Sequence, residues 1–166
     1  MSLLKRNRVD AALLRNPVHF LSLGFGSGLS PYAPGTAGTL AAIPLFWFMA
    51  PLPLPAYLGV IGVLFLIGIY LCQVTTDRLG AHDHSAIVWD EVVGYLLTMT
   101  AVPFDWRWVI AGFFLFRLFD VWKPWPVRAL DRSVGGGLGI MLDDVGAAVY
   151  AALSLQAILY IYGNML

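Results

Sequence analysis

Ala56-Tyr-Leu-Gly-Val-Ile-Gly-Val-Leu-Phe-Leu-Ile-Gly-Ile-Tyr-Leu-Cys-Gln-Val-Thr-Thr76 contains no Asp, Glu, Lys or Arg. Its length is close to the ~20 residues that an α-helix needs to cross ~30 Å of hydrocarbon. A second run, Val145 to Gly163, is equally free of those residues. The whole chain is 59% hydrophobic and 12% charged, against soluble averages of about 45–50% and about 25%. These runs belong to an integral membrane protein, and 166 residues make one domain, 1–166.

Upstream of the first run, Pro51-Leu-Pro53-Leu-Pro55 forms a turn that no helix can cross, and residues 39–50 read as a short apolar helix. Residues 17–38 hold Gly24, Gly26, Gly28, Gly35 and Gly38 with Pro31 and Pro34, the composition of an irregular loop. Residues 1–16 form a basic leader, expected as an interfacial helix with Leu13 and Leu14 on lipid. It is not a secretory signal, because Pro17, His19 and the Gly-rich stretch follow it in place of an apolar core and cleavage site. Downstream come a polar loop from Asp77 to Glu91 and two shorter helices, about 92–103 and 106–121. A second polar loop, Trp122 to Asp144, then leads into the last span, 145–163. The expected fold is all-α, a multi-pass bundle of four to five membrane-embedded helices plus the N-terminal interfacial segment.

Charge is distributed unevenly. No charged residue lies between Arg15 and Asp77, and nine of the ten acids follow. Acids abutting apolar runs usually hold a cation or do proton chemistry. If all five apolar segments cross and the basic terminus lies inside, the three polar loops converge on one face. Arg78, Lys123, Arg128 and Arg132 then join the basic leader inside and Arg107 alone lies outside, as the positive-inside rule requires. Losing two short segments from the count preserves that parity, and losing one does not. The formal net charge of zero implies no general affinity for nucleic acid. The single cysteine, Cys72, forms no intrachain disulfide.

Asp90-Glu91 opens a helix and Asp143-Asp144 precedes the last span. Either pair alone reads as a cap or as acid complementing the helix dipole, worth at most about a kcal/mol. Two pairs on one face point to Mg²⁺, which takes a few carboxylates plus water and substrate phosphate. Arg117, Asp120 and Lys123, spaced by three, share one helix face before Pro124. In solvent this would be a salt-bridge ladder. Among Phe113, Phe114, Phe116 and Phe119 a charge is costly and usually functional, which makes a phosphate clamp. Arg128 and Arg132 either add to it or bind anionic headgroups.

Gly24-Phe-Gly-Ser-Gly-Leu-Ser-Pro31 is similar to a phosphate cradle, and close helix packing explains its glycines equally well. It is neither a P-loop nor Gly-x-Gly-x-x-Gly. Ser27, Gly28 and Thr36 are its candidate phosphate contacts together with the following Pro34-Gly-Thr36. His82-Asp83-His84 offers a ligand or a proton donor, although such a pair is more often simply solvated. Cys72 to Arg78 has the spacing of cysteine phosphatases. The intervening Gln73-Val-Thr-Thr-Asp77 continues a helix without glycine, however, and an apolar span raises a thiol pKa.

Taken together, Gly24-Phe-Gly-Ser-Gly-Leu-Ser-Pro31, Pro34-Gly-Thr36, Trp89-Asp-Glu91, Arg117-Leu-Phe-Asp120, Lys123-Pro-Trp-Pro126 and Gly136-Gly-Leu-Gly-Ile-Met-Leu-Asp-Asp144 resemble the phosphatidylglycerophosphatase A family of bacteria. The resemblance runs in order from about residue 17 to the last span. It implies an all-helical, Mg²⁺-dependent lipid phosphatase of the bacterial cytoplasmic membrane. Such an enzyme removes the terminal phosphate of phosphatidylglycerophosphate, with the membrane and this lipid as its partners and no protein partner implied.

Phosphomonoester hydrolysis is among the slowest uncatalysed reactions. No Asp-x-Asp or Arg-His-Gly nucleophile motif is present, which favours direct attack by water on the phosphoryl group. In that reading Asp90, Glu91, Asp143 and Asp144 hold the cation, one of them acting as base. Arg117, Lys123 and Arg128 meet phosphoryl oxygens, Asp120 sits between the two cations of its helix, and His82, His84 or a protonated carboxyl supplies the leaving-group proton. A phosphotransferase of the CDP-alcohol type is one rival, but its pattern fails where Ala147 stands in place of the last Asp. A small non-enzymatic transporter is the other, and it has no need of carboxylate pairs on one face.

Overall fold

A computed structural model of the protein describes residues 9–80, 84–128 and 134–164. All of their regular structure is helical: α1 Pro17–Ser22, α2 Pro34–Met49, α3 Leu54–Leu79, α4 Trp89–Thr98, α5 Trp106–Trp122 and α6 Gly136–Asn164, with 3₁₀ turns at Ala11–Arg15 and Gly24–Leu29.

Helix starts account for most departures from expectation. The segment 17–38 is not one irregular loop. Asn16 accepts the Val18 N–H ahead of Pro17 in the first turn of α1, and Pro34 opens α2 after Ala33 turns through the left-handed region. Proline suits a first helical turn, where its missing N–H has no intrahelical partner to lose. The N-terminal interfacial helix is not seen as such. Residues 11–15 make a 3₁₀ turn capped by Asp10, and residues 1–8 lie outside the described set. At the other end α6 begins at Gly136 and not near Val145. There Gln73 of α3 accepts the Gly137 N–H at 2.8 Å, satisfying one of the orphan donors of a helix start from another helix.

α6 packs against α3, α4 and α5, while α2 covers another side of α4 and α1 lies on α3. The core runs through Phe46, Tyr95, Phe116, Met141 and Leu155, all fully buried. Tyr57 donates to the Leu96 carbonyl at 2.6 Å and Tyr95 to that of Val109 at 3.1 Å, so hydroxyls pin α3 and α5 to the central helix. Gly94 brings the bundle to its closest approach. A Cβ there would lie 2.6 Å from the Phe116 ring and 3.3 Å from Asp144 Cβ. Its absence lets α5 and α6 meet α4 one turn from Asp90.

Two helices, α3 with 26 residues and α6 with 29, are long and apolar enough to cross a bilayer, and only 22% of each apolar window is buried by the protein itself. On α5 the exposed Trp106, Ile110, Phe114 and Leu118 recur every four residues as one apolar stripe. Water does not cover such surfaces, and lipid does. α4, with ten residues, rises only about 15 Å and does not span by itself.

Candidate metal and phosphate site

The two ends of the central helices carry different chemistry. Four helices bring polar side chains to one end of the bundle: the first turn of α2, the first turn of α4, the last turn of α5, and α6 two turns from its start. Trp89 anchors α4 there, its indole N–H donating to the Leu64 carbonyl of α3 at 3.1 Å. Asp90 and Glu91 follow it directly.

Ligand oxygens of Asp90, Glu91 and Asp144 all lie within 4.8 Å of one another. Asp90 and Asp144 are only 8% and 3% exposed, so water does not screen this repulsion. Burial, then the negative charge of Asp144, push the Glu91 carboxyl up to about 8, against opposition from Asp90 as a hydrogen-bond partner and from Arg117. Glu91 Oε2 and Asp144 Oδ2 are buried without a hydrogen-bond partner. Such atoms are expensive unless something binds them. Among the described residues, Arg117 is the guanidinium that contacts this group, meeting Glu91 and Asp120. Hard oxygens, a charge deficit and orphaned lone pairs fit a divalent cation.

Simple capping does not explain these acids. Val88 precedes α4 and makes no side-chain cap, and Asp143 and Asp144 lie well inside α6. Only a dipole contribution remains for Asp90 and Glu91, worth about 0.3–1 kcal/mol.

Arg117 Nη1 contacts Asp120 Oδ2 at 2.5 Å and Glu91 Oε1 at 3.7 Å. The first rung of the expected ladder therefore forms. Lys123 turns instead to Asp143, which accepts from its ammonium. Asp143 thus stands beside Lys123, while its neighbour Asp144 joins Asp90 and Glu91. Lys123 itself has φ 47° as the residue ending α5, a conformation that costs a non-glycine residue on the order of 1–2 kcal/mol.

The glycine-rich stretch behaves differently from a cradle. The N–H groups of Gly26 and Gly28 both donate to the Leu23 carbonyl at 3.0 Å, which withdraws them from any anion. The Val88 N–H donates to the Ser22 carbonyl at 3.0 Å, so the segment supports the approach to α4. Ser27 Oγ is buried without a hydrogen-bond partner. Thr36, in contrast, lies in the first turn of α2 beside Gly35, whose missing side chain leaves room for Glu91 Oε1 and for Arg117 Nη1, 3.1 Å from where a Cβ would be. Arg128 is exposed and donates to the Trp122 carbonyl at 3.2 Å. His82 and Arg132 lie outside the described residues, and His84 accepts the Ala86 N–H within its own turn at 3.2 Å.

Cys72 is fully buried and lies 3.9 Å from Met141 Sδ. Replacing it with serine is expected to leave phosphate release within about twofold of wild type in protein that remains folded. A large loss in such protein would return the thiol to the chemistry.

Three contributors have roles that the sequence does not state. Gly35 makes room for Glu91, and its Pro-Gly-Thr setting is the available signal. Gln73 starts α6 from α3. His19, whose imidazole is lowered by burial and then by Arg78, pairs with Thr75 Oγ1 at 2.9 Å and fixes α1 on α3; nothing local in sequence announces that pair.

The family model for phosphatidylglycerophosphatase A matches residues 20–159. Among curated proteins, phosphatidylglycerophosphatase A of Escherichia coli (strain K12) is 50% identical, covering 99% of this chain and 95% of that protein. Phosphatidylglycerophosphatase A of Haemophilus influenzae (strain ATCC 51907 / DSM 11121 / KW20 / Rd) is 46% identical, covering 94% of this chain and 97% of that protein. No solved structure matches the chain significantly. With the family model and both relatives spanning nearly its whole length, the chain belongs to the phosphatidylglycerophosphatase A family.

Proposed function

We propose that this protein hydrolyses the terminal phosphate monoester of phosphatidylglycerophosphate to phosphatidylglycerol and inorganic phosphate, with Mg²⁺ as cofactor. One observation carries the reading. In a chain of this family, the buried Asp90 and Asp144 and the half-buried Glu91 gather beside Arg117 at the same end of an apolar bundle as Lys123.

Asp90, Glu91 and Asp144 would hold the cation. When bound, Mg²⁺ supplies charge neutralisation at the phosphoryl oxygens and lowers the pKa of a water nucleophile. Arg117 and Lys123 bind the remaining phosphoryl oxygens by charge-assisted hydrogen bonds. Asp120 keeps the Arg117 guanidinium in place during turnover. One carboxylate of the group takes the proton of the attacking water. The glycerol alkoxide takes a proton from a protonated carboxyl or from His82. The first turn of α2, with Thr36, adds backbone N–H donors on the side of Arg117.

The apolar outer faces of α3, α5 and α6 let the diacyl tails remain in lipid while the headgroup reaches the charged end. Four to five membrane-embedded helices in the bacterial cytoplasmic membrane, with the site on the cytoplasmic face, agree with the placement of Lys and Arg.

Purified protein in detergent, supplied with phosphatidylglycerophosphate, is expected to release inorganic phosphate. Exhaustive chelation should abolish release and Mg²⁺ should restore it. Release that survives chelation removes the cation from the mechanism, and no release from the untreated enzyme removes the substrate assignment.

A further inference from the structure

Asp143 and Asp144 are neighbours in sequence with different partners in space. Successive side chains on an α-helix point about 100° apart. On α6 that rotation delivers Asp144 to Asp90 and Glu91 and Asp143 to the ammonium of Lys123. Asp143 is buried and Lys123 half-buried, so the contact is partly shielded from solvent.

The backbone of Lys123 makes a second, independent point. This residue ends α5 in the left-handed region, φ 47° and ψ 68°, with its N–H donating to the Phe119 carbonyl. Glycine is the usual occupant of such a position, because any Cβ there is strained. Pro124, next in the chain, already prevents the helix from continuing. The turn therefore gains nothing from a lysine, and the site gains an ammonium. A lysine side chain is long and loses much rotamer freedom when fixed. Among the described residues, Asp143 holds it, in the way that Asp120 holds Arg117.

We propose that Asp143 is a positioning residue, holding the Lys123 ammonium ready for the substrate phosphoryl group and taking no part in binding the cation. The acids of the site then differ in role, with Asp90, Glu91 and Asp144 facing the cation and Asp143 facing a lysine. This inference rests on the phosphatase reading above.

The test combines a binding measurement with a mutant cycle on the full-length protein in detergent. Mn²⁺, a paramagnetic substitute for Mg²⁺, is titrated by electron paramagnetic resonance without substrate. Steady-state kinetics on phosphatidylglycerophosphate are measured for Asp143→Asn, Lys123→Met and the double variant. Asp143→Asn is expected to bind Mn²⁺ within about threefold of wild type while kcat/KM falls roughly 10–100-fold, as for other partners that act through a neighbouring group. The double variant should be no slower than Lys123→Met alone, since Asp143 has nothing left to position. Asp143→Glu, which keeps the charge on a longer arm, should recover part of the rate. Asp144→Asn serves as the contrast and should lose Mn²⁺ binding.

Mn²⁺ affinity reduced tenfold or more in Asp143→Asn, or losses that multiply in the double variant, overturn the proposal. If Asp143→Asn fails to fold, Mn²⁺ binding by the double variant, which leaves no ammonium without its carboxylate, decides the same question. A wild-type enzyme that binds Mn²⁺ but releases no phosphate sinks the phosphatase reading, and the Mn²⁺ comparison still judges Asp143.

Discussion

Asp144→Asn is expected to reduce phosphate release by far more than the roughly 10–100-fold typical of losing an outer partner of a metal ligand. The substitution keeps the shape and removes the charge that a hard cation needs. It should also abolish the rise in melting temperature expected of the wild type with Mg²⁺, because a ligand stabilises only the state that binds it. Without added cation the variant should be at least as stable as wild type. An oxygen of Asp144 lies within 4.8 Å of two other carboxylates, and neutralising one of three crowded acids, two of them buried, relieves repulsion. Loss of activity, loss of Mg²⁺ response and unimpaired stability form a pattern that a structural role does not produce. Wild-type turnover with a wild-type response to Mg²⁺ would remove Asp144 from the site.

Gly35→Ala is the second large effect, and helix propensity alone assigns it the opposite sign. Alanine is favoured over glycine in a helix by about 1 kcal/mol, so the variant ought to be more stable. At this position, however, the new Cβ overlaps Glu91 Oε1 and comes 3.1 Å from Arg117 Nη1. Both are tips of flexible side chains, so the fold survives by moving them. Displacement of about 1 Å in an aligned site costs on the order of 100-fold in rate. The expected result is a melting temperature within a few degrees of wild type and turnover lowered about 100-fold. Gly62→Ala, on an α3 face with nothing within 4 Å, is the control and should leave activity unchanged. Full activity in Gly35→Ala would mean that Glu91 does not need its observed place.

The parts of the fold readable in advance were those set by composition along one helix. The charge-free run 56–76 sits within α3, and 145–163 sits within α6. What could not be read was set between helices. The start of α6 depends on Gln73, 64 positions away, and no local rule locates it. Pro17 and Pro34 read as loop residues beside so many glycines, although the same ring suits a first helical turn.

The candidate site was legible as a set of residue types and illegible as a set of pairings. Asp90-Glu91, Arg117 and Asp143-Asp144 stood out because charge is rare in this chain. That Asp143 and Asp144 part company follows from helical rotation, which becomes usable only once the helix is known to begin at Gly136. The glycine-rich stretch admitted two readings in sequence. Hydrogen bonds from Gly26 and Gly28 to Leu23 favour the packing one.

The acidic centre draws on α2, α4, α5 and α6, and the last of these leaves the ribosome after all the others. Chains emerge N-terminus first. Until α6 docks, the three-carboxylate group lacks Asp144 and Lys123 lacks Asp143, so the nascent protein holds neither the complete acidic group nor the Lys123–Asp143 pair. Assembly of the charged centre thus coincides with completion of the helical packing, and on the proposed reading a partly made copy does no chemistry.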